Sequence, residues 1–299
     1  MGKKLLKIFM IAAAVLLGIA LIVVILYRFT GVIDEGILRL SNSLSGDKVQ
    51  ISYRSLEGNL FSGATINGLA VDFPNGQLKA EKARAKYSAS DFLKGRYFFS
   101  ELHLDSVTFI YKVDTTAQTP SQETDWSEGI DLSGLPRFRI DDLRISRGTF
   151  VLQKPQESQN FRHLELHASF TLLPERVDIQ VKSLNGDWLQ QNLHLRQASF
   201  KVDGSTRRVT LNQFNADVNG NHIGLHGEAE FQPAVRFLLF TDTSRIDLNL
   251  INDIIPEFPF ENGIVTLYGS FRGNPADFQG ELWLSGSADQ YRISRASLN

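Results

Sequence analysis

The residues best equipped for chemistry are two histidine pairs, His163/His167 and His222/His226, the acidic doublet Asp141-Asp142 and the basic doublet Arg207-Arg208. Histidines four apart share a face on a helix and can hold one metal ion there. Both pairs fall in alternating segments instead, where residues four apart lie about 13 Å from one another. The reading is therefore solvated histidines, with less force at His222/His226, where Gly220 and Gly224 loosen the strand. Adjacent carboxylates in extended chain point to opposite sides and make a poor acid/base dyad. Asp141-Asp142 reads as a polar turn. Arg207-Arg208 reads as a basic turn, with no basic stripe and interleaved aromatics to track nucleic acid.

A Gly-Lys-Ser/Thr phosphate loop, a Gly-x-Ser-x-Gly elbow and a His-Glu-x-x-His helix are all missing from the 299 residues. With no Cys, thiol catalysis, cysteine ligation and disulfides are excluded. A net charge of -2 gives no general attraction to nucleic acid. The expectation is a non-enzyme without cofactor or metal. What the chain has in abundance is apolar side chain, 42% of residues, with 21 Phe.

Part of that content is one block. Ile8 to Tyr27 runs twenty residues without a charge, long enough as a helix to cross the roughly 30 Å hydrocarbon core. Lys3, Lys4 and Lys7 precede it and Arg28 follows, a bias that places the N-terminus in the cytoplasm and all that follows outside it. Leu26-Tyr27-Arg28-Phe29 offers no small-x-small cleavage site, so the segment reads as an uncleaved anchor. Without the four cations of residues 1–28 the net charge falls from -2 to -6, so the remainder is mildly acidic. Ile33, Ile37, Leu40 and Leu44 mark a short amphipathic helix over 31–45. A helical turn is expected at Ser90-Asp91-Phe92-Leu93, with Ser90 as its cap, and another helix from Asp247 to Ile255, stopped by Pro256. Asp114 to Gly129 is polar and reads as a loop or linker.

Nearly everything else alternates with period two, the mark of strands with one buried face. A finer shape recurs: apolar positions spaced by two, one skip of three, then spacing by two again. It appears at Ala64/Ile66/Leu69/Val71/Phe73, at Leu102/Leu104/Val107/Phe109/Tyr111 and, with a glycine, at Leu143/Ile145/Gly148/Phe150/Leu152. It returns at Leu193/Leu195/Ala198/Phe200/Val202 and Val209/Leu211/Phe214/Ala216/Val218, both with every intervening residue polar. Chance at 42% apolar content predicts roughly 0.25 such clean matches in the chain. A skip of three would put later side chains on the wrong face, so each implies a bulge or tight turn that restores the facing. One apolar face is thus kept over successive rungs, as a packed sandwich or as an open gutter.

The order of these features resembles the TamB-like family of the AsmA superfamily. The resemblance rests on the anchor, the short helix and then Ile51-Ser-Tyr-Arg-Ser-Leu-Glu-Gly58 through Gly63, Gly68 and Phe73. Ala83-Arg-Ala-Lys-Tyr87, Asp91-Phe-Leu-Lys-Gly95 and Leu102-His-Leu-Asp-Ser-Val107 follow in that family's manner. Leu135-Pro136 before Ile140 to Gly148, and Asp253-Ile-Ile-Pro256 before Gly263 to Gly269, are similar to its recurring elements. The resemblance implies an inner-membrane-anchored, periplasmic protein, mainly β, whose sheet folds lengthwise into a taco-like groove with short helical inserts. Such proteins are implicated in conducting phospholipid between the inner and outer membranes. It also implies an Omp85-family, TamA-like partner met through a C-terminal part beyond Asn299, the chain reading as an N-terminal portion.

The expected organisation is an anchor at 1–28, a first groove segment at 29–113, a linker at 114–130 and a continuing groove at 131–299. The candidate lining for phospholipid acyl chains is Ile66, Leu69, Val71, Phe73, Leu102, Leu104, Phe109, Leu143, Ile145, Phe150, Leu193, Leu195 and Phe200. The alternative is a scaffold with a dry core that offers strand edges to outer-membrane proteins such as autotransporters during assembly.

Overall fold

Among the described residues, long runs of alternation with few breakers fold into fifteen strands of one sheet. A computed structural model describes residues 50–298, apart from 60–61, 74, 89, 92–93, 95, 113–136, 154–157, 174, 206, 233, 250–262, 275–276 and 289–290. The expected anchor with Lys3, Lys4 and Lys7, the helix of 31–45 and the linker of 114–130 lie outside the described residues. Within them no helix is long and apolar enough to cross a membrane.

The strands are β1 (Gln50–Ser52), β2 (Ser55–Asn59), β3 (Gly63–Phe73), β4 (Gly76–Tyr87), β5 (Tyr97–Lys112), β6 (Phe138–Gln153), β7 (Ser158–Leu173) and β8 (Arg176–Trp188). After a single 3-10 turn at Leu189–Gln191 come β9 (Leu193–Gly204), β10 (Arg208–Val218), β11 (Asn221–Glu230) and β12 (Arg236–Asp247). The last three are β13 (Gly263–Gly273), β14 (Phe278–Ala288) and β15 (Tyr291–Leu298). From β3 onward each strand pairs with the next in chain order, while β1 and β2 share the outer edge of β3. Every pairing is antiparallel except β5 with β6, which run parallel from Tyr97↔Phe138 to Lys112↔Gln153. The sheet is therefore continuous across the polar segment that separates those two strands.

The skips of three become local irregularities with a defined backbone. Gly68, Ser106, Arg147 and Gln197, one in each of β3, β5, β6 and β9, take positive φ between 51° and 63°. Left-handed backbone costs an ordinary residue roughly 1–2 kcal/mol, and here it returns the next side chain to the apolar face. Two strands with the same spacing escaped the sequence reading. In β4 it is Leu78/Ala80/Ala83/Ala85/Tyr87. In β7 it is Gln159/Phe161/Leu164/Leu166/Ala168, with His163 at φ 52°. By register these positions form one line across β3 to β9.

A second line runs parallel to it. Ladder shifts fall between Ile140 and Leu143 in β6, between Val181 and Leu184 in β8, and between Leu211 and Phe214 in β10. The skip in β10 belongs to this second line, and not to the first as its spacing suggested. Bulges bend a strand and increase its twist, so two lines of them crease the sheet across its strands.

Gly148 stands where an apolar residue was expected because Leu164 fills the space: an added Cβ would lie 2.9 Å from the Leu164 Cβ. Asp141-Asp142 is no turn; it sits inside β6 at the second line of bulges. Arg207-Arg208 does occupy a turn, closed by the Ser205 N–H donating to the Arg208 carbonyl at 2.7 Å. Ser90 and Asp91 are helical, with the Ser90 hydroxyl 2.8 Å from that of Ser88, and the amides that Ser90 would cap lie outside the described residues. Asp247 ends β12, and of the helix expected there only Leu248 and Asn249 are among the described residues.

Candidate functional site

Alternation puts one side chain in two on a common face, and cross-strand register aligns these faces from strand to strand. Leu69 faces Ala80 and Val71 faces Leu78. Leu102, Leu104 and Phe109 face Leu143, Ile145 and Phe150. Trp188 faces Leu193, and Gly186 faces Leu195. Phe200 stands between Val181 and Phe214. The face continues as Phe214–Leu225, then Gly227–Leu239, then Leu239–Phe271. All thirteen candidate lining residues lie on this one face.

Their burial divides them. Leu69, Val71, Leu102, Leu104, Phe109, Leu143 and Phe150 are 1% to 6% exposed and belong to one cluster that extends from β3 to β8. Ile66, Phe73, Ile145 and Phe200 pack half-buried against it. Leu193 and Leu195 are half-buried outside it. Of the two arrangements left open by the sequence, packed or open, the candidate lining is closed off from water over its first strands. From β9 on, among the described side chains, the fully buried apolar positions of the strands are small, Ala198, Ala216 and Val265, while Phe200, Phe214, Leu225, Leu239 and Phe271 are only partly buried.

Aromatic side chains mark one border of the dry region. Phe73, Phe109, Phe150, Phe161 and Trp188 form a row with successive ring centroids 5.8, 5.4, 5.8 and 5.2 Å apart. Such pairs add about 0.5–1.5 kcal/mol each beyond area burial. The Trp188 indole N–H ends the row by donating to Gln159 Oε1 at 2.6 Å. Tyr87, Phe99 and Phe138 form a shorter row toward the other ends of the same strands.

The opposite face is polar; His163 is exposed to solvent, as its spacing suggested, yet it shares a carboxylate with a second histidine. His163 and His194 place Nδ1 2.7 and 2.8 Å from the two oxygens of Asp187, and Arg196 donates to the same carboxylate at 2.6 Å. The hydrogen bond from His194, then those from His163 and Arg196, hold the Asp187 carboxyl well below the usual range against the cost of its burial. Asp142 gathers Arg144 at 3.1 Å and His103 at 3.2 Å. Burial pushes its carboxyl up, but these partners outweigh that and the net shift is downward. His167 Nε2 lies buried 3.0 Å from Asp142 Oδ1 without the alignment of a hydrogen bond. His163 and His167 therefore serve different carboxylates, as the strand spacing required. Nearer β3, Arg147 donates to Asp105 at 3.0 Å beside its own bulge. Among the described residues no group of three His, Asp or Glu is placed to hold a metal ion.

These contacts give the polar face a structural task, bracing the creases, and leave the apolar face as the surface with unused capacity. Phe161, Leu225 and Leu239 belong to it and were not singled out from sequence, and Phe214 was named in the repeat but not in the candidate lining. Alternation was the available signal at Phe214, whereas Gln159 disguised the repeat that contains Phe161. No protein-family model, curated protein or solved structure matches this chain.

Proposed function

We propose that the protein conducts phospholipid along the apolar face of its sheet, as an inner-membrane-anchored periplasmic member of the TamB-like family. The observation that carries this reading is the apolar face, dry over β3 to β8 and, among the described side chains, partly exposed over β9 to β13. Large half-exposed aromatics and leucines on one face of a sheet cost free energy in water, and hydrocarbon relieves that cost at about 0.8 kcal/mol per methylene. Ten methylenes then contribute roughly 8 kcal/mol with no specific hydrogen bond. At about 4.8 Å per strand the seven strands β9 to β15 extend about 29 Å, comparable with a bilayer core two acyl chains deep. The acyl chains are assigned to Phe200, Phe214, Leu225 and Leu239, with Leu193 and Leu195 leading in from the closed end. No step in this reading needs a catalytic residue.

A photocrosslinker at Phe214 or Leu239 is expected to capture phospholipid in cells, several-fold above one at polar-face His103. Equal capture at the three sites sinks the reading. The scaffold reading draws on a different observation, that β15 pairs only with β14 among the described residues. It predicts crosslinks from β15 to strands of unfolded barrel proteins, with none from Phe214 to lipid.

A further inference from the structure

The strand ends of the half-exposed region hold a cavity that the apolar face does not explain. It measures about 660 Å³ and lies where the turns β11–β12 and β13–β14 come side by side. Glu228, Leu238 and Arg272 form one cross-strand row on the polar face, and Glu230 with Arg236 forms the next. Phe237, between Arg236 and Leu238, aligns with Ala229 and Gly273 on the apolar face. The cavity is lined by both sets, so it straddles the rim where the two faces meet.

Its charges are mixed and partly unspent. Arg208 binds Glu228 and comes within 4.0 Å of Glu230. Arg236, Arg272 and the carboxylate of Asp277 have no ion-pair partner among the described residues, and all three residues are exposed. Guanidinium groups match the oxygens of a phosphate diester in a planar, two-point fashion, and a carboxylate matches an ammonium. A purely anionic group would meet three carboxylates in this cavity, and a purely cationic group two guanidinia.

We infer that this rim cavity is the headgroup site for a zwitterionic phospholipid, with Arg236 and Arg272 on the phosphate and Asp277 on the headgroup ammonium. The inference rests on the lipid reading above and names the lipid class for it. Geometry supports the coupling of the two: one residue, about 3.3 Å of strand, separates Arg236 on the polar side from Phe237 on the apolar side. A glycerol backbone lying over that step leaves its acyl chains against Phe237 and Leu239 while its headgroup stays wet in the cavity.

The test separates this site from the face. The purified full chain is titrated with glycerophosphoethanolamine and with glycerophosphoglycerol, neither of which carries acyl chains. The first is expected to bind about tenfold more tightly, the effect of one well-placed charged hydrogen bond. The double variant Arg236→Gln/Arg272→Gln should lose binding of both, and Asp277→Asn should bind both equally. These residues are exposed, and unchanged circular dichroism will show that the fold is intact. Equal binding of the two compounds to the unsubstituted chain, or binding that survives the double variant, overturns the site. In parallel, the crosslinker at Leu239 is exposed to vesicles of equal phosphatidylethanolamine and phosphatidylglycerol. Acyl capture without headgroup preference also overturns the site and leaves the lipid reading standing. Headgroup binding with no acyl capture overturns the lipid reading and leaves the site.

Discussion

Strands β3–β8 and strands β9–β13 belong to one sheet, alternate with the same period and turn their apolar residues to the same face, yet they hide different things. In the first group large side chains vanish from solvent: Ile140 is 0% exposed, and Phe99, Leu102 and Leu143 are 1% exposed. In the second, residues of like size stay partly exposed and, among the described side chains of the strands, complete burial of apolar residues falls to Ala198, Ala216 and Val265. The difference teaches that periodicity decides which side chains share a face, whereas coverage of that face is decided by partners that periodicity does not record. A closed stretch beside an open one is also the arrangement expected of a surface that must be both stable and occupied by a ligand.

The sharpest way to break the comparison is to truncate one large residue on each side. Ile140→Ala removes a side chain with no exposure from the closed stretch and is expected to cost about 3–4 kcal/mol, in the range for cavities that cannot collapse. Phe214→Ala removes a larger side chain from the open stretch and should cost only about 1 kcal/mol, because much of its surface already meets water. Urea unfolding followed by tryptophan fluorescence measures both, with Trp188 at the border of the closed stretch as a reporter. Comparable losses for the two variants would show that the halves are packed alike. Lipid vesicles should raise the midpoint of the unsubstituted chain and that of Ile140→Ala by similar amounts, with a smaller rise for Phe214→Ala.

Much of this architecture was legible in the sequence. The alternation gave a mainly β chain, and the skip of three located residues that adopt left-handed backbone in four strands, at Gly68, Ser106, Arg147 and Gln197. The repeat in β4 meets the same template with every intervening residue charged and was therefore legible, whereas that in β7 was hidden because Gln159 is buried by its bond to Trp188. The polar face could not be read at all. Asp142 meets His103 across 39 residues and Asp187 meets His163 across 24, and such pairings exist only once the strands are in register. The division into closed and open stretches was equally invisible, since Phe109 and Phe214 occupy similar patterns and differ only in what lies over them.

A second prediction concerns the seam between the stretches, where β8 and β9 are tied on the polar face by Asp187. Its carboxylate serves His163, His194 and Arg196, and its side chain is 10% exposed while those of its partners are 48% to 78% exposed. Asp187→Ala leaves those partners free to turn to water, so the expected loss is about 2 kcal/mol, the scale of hydrogen bonds to a charged group. A loss as large as that of Ile140→Ala would mean that the seam, and not the dry core, holds the closed stretch together.

The smallest effect follows from the same carboxylate and has a definite sign. Because its partners hold the folded Asp187 carboxyl below its ordinary value of about 3.9, the folded state binds a proton there less readily than the unfolded chain. The stabilisation is fully present above that ordinary value and is lost as pH falls through the lowered folded one. The stability gap between the unsubstituted chain and Asp187→Asn should therefore narrow as pH falls below about pH 4. Phe214→Ala offers the control, since its deficit involves no proton and should keep its size over the same interval. Urea midpoints taken at pH 5, 4 and 3 measure both gaps, and a gap for Asp187→Asn that widens over this interval would reverse the sign and remove Asp187 as the carboxylate that ties the seam.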